Sequence, residues 1–386
     1  MIEMSKATED HDRSIEIDTV GVNVAPAQDS YRAAPSGSSI AISHLFRAFV
    51  FISFVFATAQ FVRSYFIVDQ PYLNASSYES GSAKMPYQAR ILMAVVMRHA
   101  RASSMMVSIA GKLGDPLHEP DVLALLLVNL LSLGIIAVVV RAFYRHLCPG
   151  GRLGSLPYFL VLWMASETYI VRFQEAIYFP YDLLAAALFT VCLYLSYRRR
   201  YLILLPVFVL ACFNRETIVM IIPLLLVNLL VQDPGAPRVP IFRRKEIPVA
   251  GLMVAIWAVI YIHFHRAYAG NQTDLGLRLH ENLHFVVNPQ LWPQVASACG
   301  FLLPVPLLFW RLIPQRRLRF YTLLIPAWIA IMCAVGLLGE SRIFGELIGF
   351  LAVLCTLLFE VAYNANGPSG LQGPLCGDAS QSISSN

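Results

Sequence analysis

The stretch from Arg198 to Lys245 constrains this chain more than any other. Arg198, Arg199 and Arg200 precede an apolar run from Tyr201 to Phe213, Asn214-Arg215-Glu216 interrupts it, and a second apolar run extends from Thr217 to Val231. A basic segment with Arg238, Arg243, Arg244 and Lys245 closes the pattern. One continuous helix over 201–231 would be about 46 Å long at 1.5 Å per residue. A hydrocarbon core is only about 30 Å thick. Two short helices turning at Asn214–Glu216 place both basic clusters on one side of a membrane, whereas one long helix separates them. Cytoplasmic flanks carry excess Lys and Arg, so the charge pattern favours the short pair over the single long helix. The turn must then face protein or water, because lipid does not tolerate irregular backbone. Ionisable residues inside so apolar a stretch are functional-site candidates by default.

Composition places the whole chain in the same solvent. Of 386 residues, 57% are hydrophobic and 14% charged, with a mean hydropathy of +0.60, far from the average soluble domain. The reading is an all-α polytopic transmembrane protein. The net charge of +5 comes largely from arginines beside apolar runs. They gather on no soluble domain, so no nucleic-acid partner is implied. Five of the seven cysteines fall in apolar runs, and no C-x-x-C or H-E-x-x-H spacing is present. The sequence requires no cofactor, predicts no metal site, leaves a divalent metal open and specifies no protein partner.

Taken in order, residues 1–43 are polar and read as a disordered tail. The transmembrane domain is expected over 44–362, and a Gly-, Ser- and Pro-rich tail over 363–386. Spans are expected near 44–65, 121–141, 155–171, 177–197, 247–265, 293–310, 320–338 and 343–362. With the short pair they make about ten membrane segments, with both termini in the cytoplasm. The long segment 66–120 then lies outside. Within it, residues 88–110 read as an interfacial amphipathic helix, with Arg90, Ala94, Arg98 and Arg101 on one face and Ile91, Leu92, Val95 and Val96 on the other. A transmembrane helix with Arg98, His99 and Arg101 near its centre would be costly. An Arg-bearing outside loop departs from the positive-inside pattern and invites a functional cause.

With that topology the unusual polar residues collect on the outer side. They are Asp69, Glu79, Tyr87 and Arg90 from the first loop; Glu167, Arg172 and Glu175; Tyr181 and Asp182; Asn214, Arg215 and Glu216; and Glu340, Arg342 and Glu346. Arginine suits phosphate through fixed bidentate donors, and a carboxylate suits activation of an acceptor hydroxyl. Each also has a plainer role. Arg215 and Glu216 can neutralise each other, Arg342 and Glu346 have the i, i+4 spacing of a structural pair, and the arginines at 90, 98 and 101 suit anionic headgroups. His280 and His284 share that spacing but lack a third ligand. Asn74-Ala75-Ser76 and Asn271-Gln272-Thr273 fit the glycosylation pattern.

Three stretches carry a family resemblance. One is a single helix followed by a long acidic loop with an amphipathic helix. The second is "MPYQARIL" (Met85–Leu92), and the third is "RRRYLILLPVFVLACFNRETIVMIIPLLL". Together they resemble the GT-C superfamily of membrane glycosyltransferases, which use polyprenyl-phosphate-linked sugars outside the cytoplasm. "GESRIFGEL" (Gly339–Leu347) is similar to late E-x-R elements of bacterial membrane proteins. The resemblance implies a multi-pass protein of the bacterial cytoplasmic membrane whose partners are membrane lipid and a polyprenyl-phosphate sugar donor. It implies Asp69 or Glu79 as the catalytic carboxylate, with Tyr87, Arg90, Asn214, Arg215, Glu216, Glu340 and Arg342 binding substrate. The first loop has no D-x-D, D-D or E-x-D, and no soluble C-terminal domain is expected. A transporter or flippase of an anionic or lipid-linked substrate, and a non-catalytic membrane subunit, fit the same residues.

Overall fold

A computed structural model describes residues 37–68, 70–71, 73–115, 117–171, 177–231, 245–274 and 276–366. The expected site residue Asp69, together with Arg172, Glu175, Arg238, Arg243, Arg244 and most of both tails, lies outside the described residues. The chain divides into two compact units, 1–48 and 49–386. The described part of the first unit, residues 37–48, is helical. The second unit holds the helical bundle and all the described candidate site residues.

The described elements are helical apart from one two-residue strand pair. In order they are α1 (Gly37–Val68), β1 (Gln70–Pro71), α2 (Ala75–Ser80), α3 (Ile91–Ala102), α4 (Ser104–Ala110), α5 (Pro120–Leu147), α6 (Leu156–Ser166), β2 (Ile177–Tyr178), α7 (Asp182–Tyr197) and α8 (Tyr201–Cys212). Then come α9 (Ile222–Leu230), α10 (Glu246–Ala267), α11 (Leu279–Val287), α12 (Trp292–Ala296), α13 (Val305–Leu308), α14 (Arg316–Tyr321), α15 (Leu324–Val335) and α16 (Ile348–Asn366). β1 and β2 pair in parallel, Gln70 with Ile177 and Pro71 with Tyr178.

Among the described residues, five stretches are long and apolar enough to cross a membrane: Ala48–Phe66, Pro120–Leu147, Glu246–Ala267, Arg316–Val335 and Ser341–Ala365. Four shorter apolar helical stretches accompany them, Leu156–Val171, Asp182–Tyr197, Tyr201–Cys212 and Glu216–Leu230. Ser341–Ala365 is 94% buried by the rest of the chain and Glu246–Ala267 only 11%, so α16 is the axis of the bundle and α10 lies at its edge. Gly349 lets α16 approach α7 closely, since a Cβ there would sit 2.2 Å from Thr190 Oγ1. Small residues are how packed membrane helices come together.

The short pair is a hairpin. Arg199 Nη2, just before α8, donates to Asn228 O near the end of α9 at 3.1 Å, and Asn228 Nδ2 donates to Ser196 O at 2.8 Å. A continuous helix would hold residues 199 and 228 more than 40 Å apart (about 1.5 Å per residue). Arg199 also lies 3.6 Å from Glu246 at the head of α10, and Tyr321 on α14 donates to Asn228 Oδ1. Residues 196–201, 228, 245–246 and 316–321 therefore share one end of the bundle, rich in Arg. The turn at Asn214–Glu216 is at the other.

Two expectations need correction. Residues 293–310 form no single span. Pro293, Pro304 and Pro306 each lack the N–H an interior helical turn needs, and Cys299, Gly300 and Phe301 take positive φ of 53°, 65° and 63°. Short turns result. The interfacial helix is two helices, broken where the Ser103 side chain accepts the Met106 N–H as an N-cap. Its faces also differ from those the sequence spacing predicts. Arg98 and Arg101 are exposed, but Ala94 is in the core and the Arg90 side chain is buried.

Candidate functional site

The first loop, the hairpin turn and the 339–346 segment meet at the end of the bundle away from the arginine-rich end. They build a buried ion-pair knot. Arg90 binds Glu216 through two parallel bonds, Nη2 to Oε1 at 2.5 Å and Nε to Oε2 at 3.0 Å, and its Nη1 donates to Tyr181 Oη at 2.8 Å. Arg215 places Nη1 3.3 Å from Asp182 Oδ1 and Nε 3.1 Å from Glu346 Oε1. Arg342 donates from Nη2 to Glu340 Oε2 at 2.7 Å, has Nη1 3.9 Å from Asp182 Oδ2, and lies 3.8 Å from the Phe179 ring centroid. Thr217 Oγ1 donates to Glu346, and Asn214 Nδ2 donates to Tyr181 O at 3.1 Å. Tyr87 stacks near Phe179, its ring also under the Arg90 guanidinium.

Local backbone decides these partners. Arg215 is extended (φ −160°, ψ 135°), so its side chain and that of Glu216 point to opposite sides. They therefore make no direct ion pair with each other, and each finds a distant partner. Ser341–Leu347 is a 3-10 helix. Three residues per turn take residue i+4 off the face of residue i, so Arg342 does not pair with Glu346. The three guanidiniums are each 7% exposed, and they face four carboxylates of the protein itself. Burial alone would lower the Arg90 pKa. The Glu216 carboxylate more than reverses that, so Arg90 stays charged. The structure thus brings Tyr87, Arg90, Asn214, Arg215, Glu216, Glu340 and Arg342 together, with every arginine committed to protein carboxylates.

Glu79 stands apart from the knot, on α2. Its Oε2 lies 3.5 Å from Arg101 Nη1, and Arg101 Nη2 donates to Asp121 Oδ2 at 2.8 Å. Burial pushes the Glu79 carboxyl above its usual range; Arg101 pulls it part of the way back and Asp121 adds to the rise. Beside this triad is a cavity of about 430 Å³, whose wall includes Asn74, Tyr78, Met97, Glu119, Asp121 and Tyr178. That volume is in the range of small-molecule sites. Asp121 is 2% exposed and lines the cavity, and its Oδ1 has no hydrogen-bond partner among the described residues. Glu79 Oε1 is likewise buried without one. Buried polar atoms are nearly always paired, so Asp121 Oδ1, on a residue of the cavity wall, marks a place suited to a ligand's donor. Tyr78 joins cavity to knot: it lines the first and its hydroxyl donates to the Arg90 carbonyl of the second.

Asp121 is not among the residues the sequence singles out. It follows Pro120 at the head of an apolar run, where an acidic residue in a first turn is ordinary helix chemistry. The available signal is its conjunction with Glu119 at the very mouth of a span. Asn271 of the second glycosylation pattern is engaged, its Nδ2 donating to Gly81 O and Ala83 O at 2.9 and 2.8 Å. Asn74 is exposed and caps α2 through its side chain. No group of three or more His, Cys, Asp or Glu among the described residues could hold a metal. Comparison with protein-family models, with characterised proteins and with solved structures found no match.

Proposed function

We propose that this chain is a membrane glycosyltransferase, moving a sugar from a polyprenyl-phosphate donor to an acceptor at the outer face of a bacterial cytoplasmic membrane. The observation that carries the reading is the cavity lined by Asp121, whose Oδ1 has no partner among the described residues, with Arg101 joining that carboxylate's other oxygen to Glu79. The arginine-rich end, with Arg198–Arg200, Lys245, Arg316, Arg317 and Arg319, faces the cytoplasm by the positive-inside rule. The cavity then opens on the outer side, where lipid-linked donors present their sugars. Membrane segments drawn from the five long and four shorter apolar stretches, with both termini cytoplasmic, accompany the same orientation.

In this mechanism a cavity carboxylate takes the proton of the acceptor hydroxyl. The acceptor oxygen forms a bond to the sugar's anomeric carbon while the bond from that carbon to the phosphate oxygen breaks. The polyprenyl phosphate leaves with the electron pair. Glu79 and Asp121 are the bases the geometry offers. Asp69, which lies outside the described residues, remains a candidate from the sequence. The exposed Arg98 suits the departing phosphate. The closed knot of Arg90, Arg215 and Arg342 acts as the frame that holds the first loop, hairpin and 339–346 segment in register.

The test is a reconstitution of the purified chain in liposomes with a labelled polyprenyl-phosphate hexose and candidate acceptors. Discharge of the donor to free polyprenyl phosphate with a new glycoside is expected. Movement of the intact donor between leaflets with no covalent product would instead make the chain a transporter.

A further inference from the structure

Resting on that reading, we infer that the 430 Å³ cavity seats the acceptor side of the reaction, and that it takes a sugar-sized, hydrogen-bond-donating ligand without negative charge, anchored on Asp121 Oδ1. The lining carries the argument. Among the described residues its charged members are Glu119 and Asp121, both acidic. Arg101, the nearest cation, spends its guanidinium on Asp121 Oδ2 and Glu79 Oε2 from behind the wall. Among the described residues of the lining, a phosphate entering the cavity would meet two carboxylates and no cation. A hydroxyl or ammonium group would give Asp121 Oδ1 the one hydrogen bond it lacks.

The aromatic wall agrees with this. Tyr178 is buried, and burial together with the negative charges of Asp121 and Glu119 pushes its phenol up to about 12. It therefore stays protonated at physiological pH. Tyr78 has its hydroxyl occupied by the Arg90 carbonyl and offers the cavity its ring. The anionic end of the donor is thereby excluded from the cavity and left to the exposed Arg98 outside it. Acidic wall and outer arginine sort the two substrates by charge.

The experiment measures thermal stabilisation of the purified full chain in detergent by three probes: methyl glucoside, glucosamine and glucose 1-phosphate. Stabilisation by the glucoside or by glucosamine, with none by the phosphate, is expected. A stronger effect of glucosamine than of the glucoside assigns the anchor to an ammonium; equal effects assign it to a hydroxyl. Asp121→Asn should weaken the effective probe roughly tenfold or more, as loss of a hydrogen bond to a charged group does. Should Asp121→Asn fail to fold, Val122→Phe, at another residue of the lining, fills the cavity and should abolish the same stabilisation while leaving both carboxylates in place. Preference for glucose 1-phosphate, stabilisation by none of the probes, or an undiminished effect in Val122→Phe would overturn the inference. No donor lipid is present in this assay. Binding can therefore succeed while glycosyl transfer fails, and the converse result separates the two claims.

Discussion

Replacing Arg90 with Met tests what the ion-pair knot is for. The Arg90 guanidinium makes three hydrogen bonds, two to Glu216 and one to Tyr181, and is 7% exposed. Removing one partner of a fully buried pair costs about 3–5 kcal/mol, because the other charge is left uncompensated. Here the orphan is Glu216, whose side chain is 29% exposed and recovers part of its hydration. Discounting by about a third gives a loss of about 2–3 kcal/mol for Arg90→Met. Replacing both charges, Arg90→Met with Glu216→Leu, leaves no orphaned charge, only the Tyr181 hydroxyl without its donor, and should return to within about 1 kcal/mol of the wild type. The assay is unfolding in mixed micelles followed by the near-ultraviolet signal of the buried Tyr and Trp residues. A single variant within about 0.5 kcal/mol of wild type would refute the reasoning. So would a double variant as unstable as the sum of the singles. Either result would return Arg90 to the role of a substrate ligand.

The packing and the charges carry two further expectations. Gly349→Ala drives a Cβ to 2.2 Å from Thr190 Oγ1 and 3.0 Å from its Cβ, an overpacking that should cost about 1–3 kcal/mol. Gly134→Ala on α5 meets nothing within 4 Å and should be neutral or stabilising by up to about 1 kcal/mol; thermal melts of the two variants check the contrast. For Glu79, the folded carboxyl titrates above its unfolded value because burial disfavours the charge. The stability held by its neutral form is complete below the ordinary carboxylate range and is lost as pH rises through the raised value. Glu79→Gln should remove that decline, so the wild type loses stability relative to the variant as pH rises above the ordinary carboxylate range; equal slopes in melts taken upward from that range would contradict it.

The sequence spoke clearly where a single physical constraint dominated. The basic–apolar–polar–apolar–basic pattern left the α8–α9 hairpin as the arrangement that keeps both basic flanks together, and the Arg199–Asn228 contact bears it out. That the first loop, the hairpin turn and the late E-x-R segment converge was legible from topology as well. Pairing within the knot was not, because it depends on two backbone states the residue types do not announce: the extended Arg215 and the 3-10 turn over Ser341–Leu347. At 293–310 hydropathy suggests a span, but the backbone obeys the three prolines. Asp121 was hidden by its own ordinariness. An acidic residue at a helix start needs no explanation until one of its oxygens is found buried beside a cavity with nothing to bind.

The most direct test of a catalytic cavity is the rate of glycosyl transfer by Asp121→Asn compared with wild type, measured in the same liposomes with a labelled polyprenyl-phosphate sugar. Asparagine keeps the size of the side chain and removes the acceptor of the proton. Loss of a positioned general base typically lowers a rate by about 10²–10⁴-fold. A fall of at least about a hundredfold, in protein that melts as the wild type does, is the predicted result. Transfer within about twofold of wild type would contradict a catalytic role for the cavity.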